Sequence, residues 1–244
     1  MEQLIIYDVS RQKIRIGRPY DGGYVVFDLQ GGYDAIISAG ISNDISFEQA
    51  VLNYHQVPCF LYDGNIECLP EKDSRIIFIR KHVGKEETET LSNLHGTLNP
   101  YSNVFMKINI KGHEFRLFPT FSEEQMKKIK QLVIEIHTPR DIQLYPAYYK
   151  GLSDITNDRM FDTLKKINRT HTLVHLHPHN GCKTHWVDGI MLPNVFECTF
   201  IRNDFVHTKQ PNTGLIPQSI DMPNVPSLPI VLFDHYPFVF TASK

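Results

Sequence analysis

Seven short runs, β-branched or aromatic and mostly apolar on both faces, recur along the 244 residues: "YDAIISAG" (33–40), "VPCFLYDG" (57–64), "SRIIFIR" (74–80), "NVFMKINI" (103–110), "QLVIEIH" (131–137), "HTLVHLH" (171–177) and "VFECTFIR" (195–202). A strand apolar on both faces is buried on both faces, which requires a sheet covered by helices. The intervening segments supply them. "SFEQAVLNYHQ" has Phe47, Ala50, Val51 and Tyr54 at helical spacing, with Ser46 and Gln49 in capping-box register. "SEEQMKKIKQ" repeats that box with Ser122 and Gln125, and "TNDRMFDTLKKIN" sets Met160, Phe161, Leu164 and Ile167 on one stripe. Strands alternating with helices imply right-handed crossovers and a mainly parallel sheet. The polar stretch 81–102 is expected to be a loop with at most a short helix.

Two end pieces flank this core within a single domain. "KIRIGRPYDGGYVVFD" predicts a hairpin, so residues 1–30 form an N-terminal cover over a cleft, and residues 31–204 form the core. Six of the fifteen prolines follow residue 210, so residues 205–244 are expected to run as an extended tail on the body without adding central strands. A net charge of -2 leaves no basic surplus to neutralise phosphates, and nucleic acid is not an expected partner. No window reaches membrane-spanning length and the start lacks a signal pattern, so a cytoplasmic location is expected. Cys59, Cys68, Cys182 and Cys198 show no paired spacing and are expected to be reduced, buried thiols.

In an open parallel sheet, ligands sit beyond the carboxyl ends of the strands. At the first tip, "SAGISNDISFE", Gly40 permits close backbone approach and the next helix offers free N–H groups. At the second, Asp63 lies about twenty residues on, where an acid commonly binds ribose hydroxyls. An ordinary β-α turn followed by a turn aspartate is the structural alternative.

Taken in order, "DGGYVVF", "SAGISNDISFE", "FMKINIKGHEF", "LVIEIH", "LVHLHPHNG" and "LPNVFECTF" resemble the FkbM-like and related class I methyltransferases over about residues 14 to 204. The resemblance implies a Rossmann-like α/β fold of seven strands, mostly parallel with an antiparallel last strand, and S-adenosylmethionine as cofactor. It places Gly40, Ser42 and Asp44 along the methionine part and Asp63 with Gly64 at the ribose. Lys81, His82 and Val83 fall near the adenine, and Asn109 falls at the cofactor. The family's K-x-D-x-E-G-x-E pattern reads Lys107, Asn109, Lys111, Gly112, His113 and Glu114 here, so two carboxylates are missing.

Methylation of a sugar hydroxyl needs a base or a metal beside a poor acid. His137, at the fifth tip, is the first candidate, then His113, with Glu114 and Glu135 as carboxylate alternatives. "VHLHPHNGCKTHW" packs four histidines into residues 174–186, and His175 and His177 share one strand face. The expected role is an acceptor wall, with Lys111, His175, His177, Asn180 and Trp186 binding the sugar or nucleotide-linked sugar. A divalent metal and a homo-oligomer stay open. Two other classes compete: a methyltransferase-fold binding module that has lost catalysis, and a metal hydrolase using the histidine run.

Overall fold

The computed structural model describes residues 1–240; the last four residues of the expected tail, 241–244, lie outside the described residues. All seven predicted runs are strands of one sheet: β1 (Ala35–Ala39), β2 (Cys59–Tyr62), β3 (Ile76–Ile79), β4 (Val104–Ile108), β5 (Ile129–His137), β6 (His171–Pro178) and β7 (Val195–Arg202). Their order across the sheet is β6-β7-β5-β4-β1-β2-β3. β1 to β5 pair in parallel, whereas β7 runs antiparallel to both β5 and β6. This is a Rossmann-like sheet of seven strands, mostly parallel, with a reversed last strand. The direction of winding changes between β1 and β4, which puts the ligand crevice over the tips of those strands and their neighbours.

Burial explains the fold's two faces. Ala35, Ile37, Met106, Ile134 and Leu176 join Leu164 and Ile167 in one core, while Ile36, Phe105 and Val133 join Phe47 and Val51 in another. The second is closed by α1 (Ser46–Tyr54) and by the N-terminal hairpin, whose strands Lys13–Gly17 and Gly23–Phe27 pair antiparallel. The hairpin is tied to the sheet: Gln131 Oε1 accepts from Phe27 N at 2.8 Å, and Thr199 Oγ1 donates to Val25 O.

Three local expectations change. Ser46 is the first helical residue of α1 and not its cap; Ile45 takes the cap position without a side-chain bond. Asp44 Oδ1 accepts from Ser46 N at 3.0 Å, and Ser46 Oγ accepts from Arg18 N, so the serine anchors the hairpin instead. The second box, Ser122 with Gln125, forms as expected. Stretch 81–102 holds a two-residue parallel ladder, His82–Val83 with Leu91–Ser92, besides the short helix His95–Leu98. Among the cysteines only Cys59 and Cys198 are buried; Cys68 is exposed and Cys182 half-buried.

The proline-rich tail lies on the body. Phe233 and Phe238 are buried in the main core, and Ile216 bridges to Phe233.

Candidate active site

A cavity of about 350 Å³ opens over the tips of β4, β5 and β6, and Asn109, Lys111, Glu135, His137, Tyr148 and His179 are among its walls. Asp21 reaches it from the hairpin turn, and Asp141, Tyr145, Tyr149, Cys182 and Val195 complete the wall. The next helix, α2 (Pro139–Leu144), starts immediately after β5. Thr138 caps it, Pro139 takes the first turn, and Asp141 therefore sits one turn beyond His137.

His137 is clamped on both ring nitrogens. Its Nε2 lies 2.9 Å from Glu135 Oε1, and its Nδ1 lies 2.7 Å from Tyr149 Oη and 3.2 Å from Asp141 Oδ2. Tyr149 donates its own hydroxyl proton to Asp141, so Nδ1 and Nε2 both act as donors. Burial would lower the imidazole pKa, but the bonds to Asp141 and Glu135 outweigh it and hold it up to about 9. Burial works the other way on Glu135, where the hydrogen bond and charge of His137 prevail and hold the carboxyl down to about 2. At neutral pH this is an imidazolium between carboxylates. In that state both ring nitrogens carry protons, so His137, the first candidate base, has no lone pair with which to take another.

His113 and Glu114 do not line this cavity. Glu114 is fully buried and braces two tips, accepting from Gly112 N at 2.8 Å and from His137 N at 3.2 Å. Burial pushes its carboxyl up to about 7. His113 occupies the position before the short helix Glu114–Leu117; burial, then the charge of Arg116, lowers its pKa. Lys111 turns the chain at φ +55°, just before Gly112 at φ +92°, and its ammonium sits 5.8 Å from the Tyr148 ring.

The cofactor candidates gather at the tips of β1, β2 and β3, with Asn109 at the neighbouring tip of β4. A Cβ on Gly40 (φ +78°) would stand 1.7 Å from Asn109 O, so the contact between the β1 and β4 tips itself requires a glycine here. Val83 is buried in the core. Asp63, itself buried, joins two turns: its Oδ2 accepts from Ser42 N at 3.0 Å and its Oδ1 from Asn65 N at 2.8 Å. A Cβ on Gly64 would meet the His82 ring at 2.5 Å, so the β2 tip and residue 82 pack face to face. Asp44 Oδ2 pairs with Arg18 Nε at 3.1 Å, fastening the hairpin turn to the β1 loop.

These residues fit a nucleoside with an amino-acid arm. Each Asp63 oxygen has one backbone N–H and keeps a lone pair for a hydroxyl. Asn109 Oδ1 is buried without a partner, an acceptor that lacks a donor such as an ammonium group. Sequence reasoning also missed a support behind them: Lys107 Nζ reaches Glu48 Oε1 at 3.5 Å and Gly40 O at 3.3 Å, and Ser38 Oγ donates to the same Glu48 oxygen.

Within the histidine run, His175, His177 and Asn180 do not line this cavity and are engaged by the tail instead. His175 Nε2 lies 2.8 Å from Asp221 Oδ1, and His177 Nε2 lies 3.0 Å from Asn224 Oδ1, both under the tail. Asn180 spends its amide on the tail backbone, with Nδ2 donating to Val225 O and Leu228 O and Oδ1 accepting from Val225 N. Trp186 stands 71% exposed on the hairpin between β6 and β7, away from Asn180. Among the described residues no three His, Cys, Asp or Glu side chains are grouped to hold a metal ion. The local pattern could not have revealed Asp221 and Asn224 as partners, since they lie 46 and 47 residues further on.

Asp221 is held well below the usual carboxylate range: burial would raise its pKa, and the charges of His175 and His177 overcome that. Asp221→Ala should cost about 3 kcal/mol, the scale of breaking a buried charge pair. Limited proteolysis should then cut within 212–240, where the intact protein resists. An uncut tail in the folded variant would place the anchor elsewhere.

No family model matches the sequence, and no curated protein does. Solved structures similar to the chain include the fibrillarin/Nop5p complex, at 8% identity over 71% of this chain and 74% of that one, with a TM-score of 0.40. A mutant form of the 16S rRNA (adenine(1408)-N(1))-methyltransferase from Catenulisporales acidiphilia is 11% identical, covering 78% of this chain and 98% of its own, with a TM-score of 0.36. A structure described as conversion of a disulfide bond into a thioacetal group during echinomycin biosynthesis is 9% identical over 70% of this chain and 76% of that one, at a TM-score of 0.34. No helix among the described residues is long and apolar enough to cross a membrane.

Proposed function

We propose that the chain is an S-adenosylmethionine-dependent O-methyltransferase, FkbM-like, acting on a sugar hydroxyl. The observation that carries this reading is the pairing of a reversed-strand Rossmann-like sheet with a polar, tyrosine-walled cavity over β4, β5 and β6. When bound, the cofactor supplies an activated methyl group. Asp63 would hold the ribose hydroxyls, and Asn109 Oδ1 the ammonium of the methionine arm.

On the acceptor side, Tyr145 and Tyr148 are exposed aromatic faces for a sugar ring, and Lys111 donates to its hydroxyls. Glu135 orients the reacting hydroxyl and takes its proton. The carboxylate is ionised at every working pH, which makes it a constant acceptor but a weak base. His137 keeps that charge in place. With the His137 imidazole already protonated and Glu135 a weak base, the protein also fits a second reading, a cofactor-binding module without turnover.

Transfer of labelled methyl groups to a panel of sugars and nucleotide-linked sugars tests the proposal. Glu135→Gln should lower turnover by about 10²-fold, the low end for proton removal, with cofactor affinity retained. Full activity in that variant would remove Glu135 from the reaction. Binding without transfer to any acceptor would favour the module.

A further inference from the structure

A second cavity, of about 650 Å³, lies on the other side of α2, walled by Arg140, Gln143, Asn157, Thr184, His185 and Trp186. Helix α2 separates the two spaces: Asp141 faces the Glu135–His137 cavity, while Arg140 and Gln143 face this one. Thr184 to Trp186 likewise follow Cys182, which lines the first.

Three features give this cavity a chemistry of its own. Trp186, 71% exposed, presents an indole face. His185 is fixed by Nδ1 at 2.8 Å from Asn194 Oδ1, and its Nε2 is buried without a partner. With Asn194 accepting, the proton sits on Nδ1 and Nε2 is left as a lone-pair acceptor. Arg140 is exposed, and the one acid on its helix, Asp141, is taken up by His137 and Tyr149. An aromatic face beside an acceptor and the amides of Gln143 and Asn157 is the combination that binds a sugar ring. A guanidinium with no acid of its own adds selection for a carboxylate or phosphate.

We propose that this cavity is a second saccharide subsite, for a sugar carrying an anionic group. Resting on the function proposed above, it makes the methyl acceptor an anionic oligosaccharide long enough to reach from one cavity round α2, about 10 Å across, to the other.

Trp186 is the only tryptophan in the chain, so intrinsic fluorescence reads this cavity directly. Without cofactor, the protein is titrated with tetragalacturonate, with mannose 6-phosphate and with neutral maltotetraose. A saturable change with one or both anionic probes is expected, and which one produces it identifies the recognised group. Arg140→Gln should weaken that binding roughly tenfold or more while S-adenosylmethionine affinity stays unchanged. An equal response to maltotetraose, an unaltered response in the variant, or no saturable change with any probe would overturn the proposal. Neither cofactor nor turnover enters this measurement. Failure of the methyltransferase reading would therefore show as missing cofactor binding with the fluorescence response intact.

Discussion

Raising the pH from 6.5 to about 9 should remove about 3 kcal/mol of folding stability through His137 alone. The unfolded imidazole loses its proton near 6.5 and the folded one near 9. Below 6.5 both states are protonated and the stabilisation is complete; it is lost as pH climbs through the folded value, at about 1.4 kcal/mol for each pH unit between the two values. Glu114 and Glu197, which burial pushes up to about 7 and about 8, act with the same sign at lower pH. The unfolded chain ionises them from about 4.5 upward while the folded chain resists, so each lowers stability until its folded pKa is passed. Glu135 acts oppositely: its contribution is present above 4.5 and is lost as pH falls through about 2. Between pH 8 and 9 His137 carries the largest part of the slope from these four groups, and the upper end of the Glu197 titration adds a smaller part of the same sign. Urea unfolding in that interval should show a steeper fall of stability with pH in the parent than in His137→Gln. Equal slopes would mean that His137 is not the imidazolium its partners imply.

Gly40→Ala should cost more than about 4 kcal/mol, the range reserved for steric conflict inside a packed structure. Its Cβ would fall 1.7 Å from Asn109 O and 2.7 Å from the carbonyl carbon, and the φ of +78° is itself unfavourable for alanine. Gly189 separates the two causes. It has the same φ of +78°, yet nothing lies within 4 Å of an added Cβ. Gly189→Ala should therefore lose only the left-handed penalty, about 1–2 kcal/mol. Similar losses in the two variants would show that the β1 and β4 tips can separate without penalty.

The sheet was legible because burial on both faces writes itself into each strand's composition, and the reversed seventh strand came with the family resemblance. Ser122 and Gln125 were equally readable, since a capping box is complete within four residues. Ser46 and Gln49 carry the same local signature, but Asp44 precedes them and Arg18 approaches from the hairpin, and these long-range contacts decide where the helix starts. The site was half legible. Of the candidates the sequence offers, Glu135, His137, Lys111 and Asn109 line one crevice, whereas Glu114 and His113 do not. The state of His137 was not readable, because it depends on Tyr149, twelve residues away, and on the turn that brings Asp141 back. For His175 and His177 the deciding partners come from the tail, and no spacing within "VHLHPHNG" points there.

On the function proposed above, Asp63 and Asn109 hold S-adenosylmethionine. Titration calorimetry with S-adenosylmethionine and with its demethylated product tests this most directly. One equivalent of each should bind in competition, and Asp63→Asn should weaken both by about 1–3 kcal/mol, the scale of a buried hydrogen bond left unmade. Because Asp63 also holds Ser42 N and Asn65 N, a thermal melt must first show the variant folded. No heat from either ligand with the folded parent protein, or unchanged affinity in the folded Asp63 variant, would contradict the account.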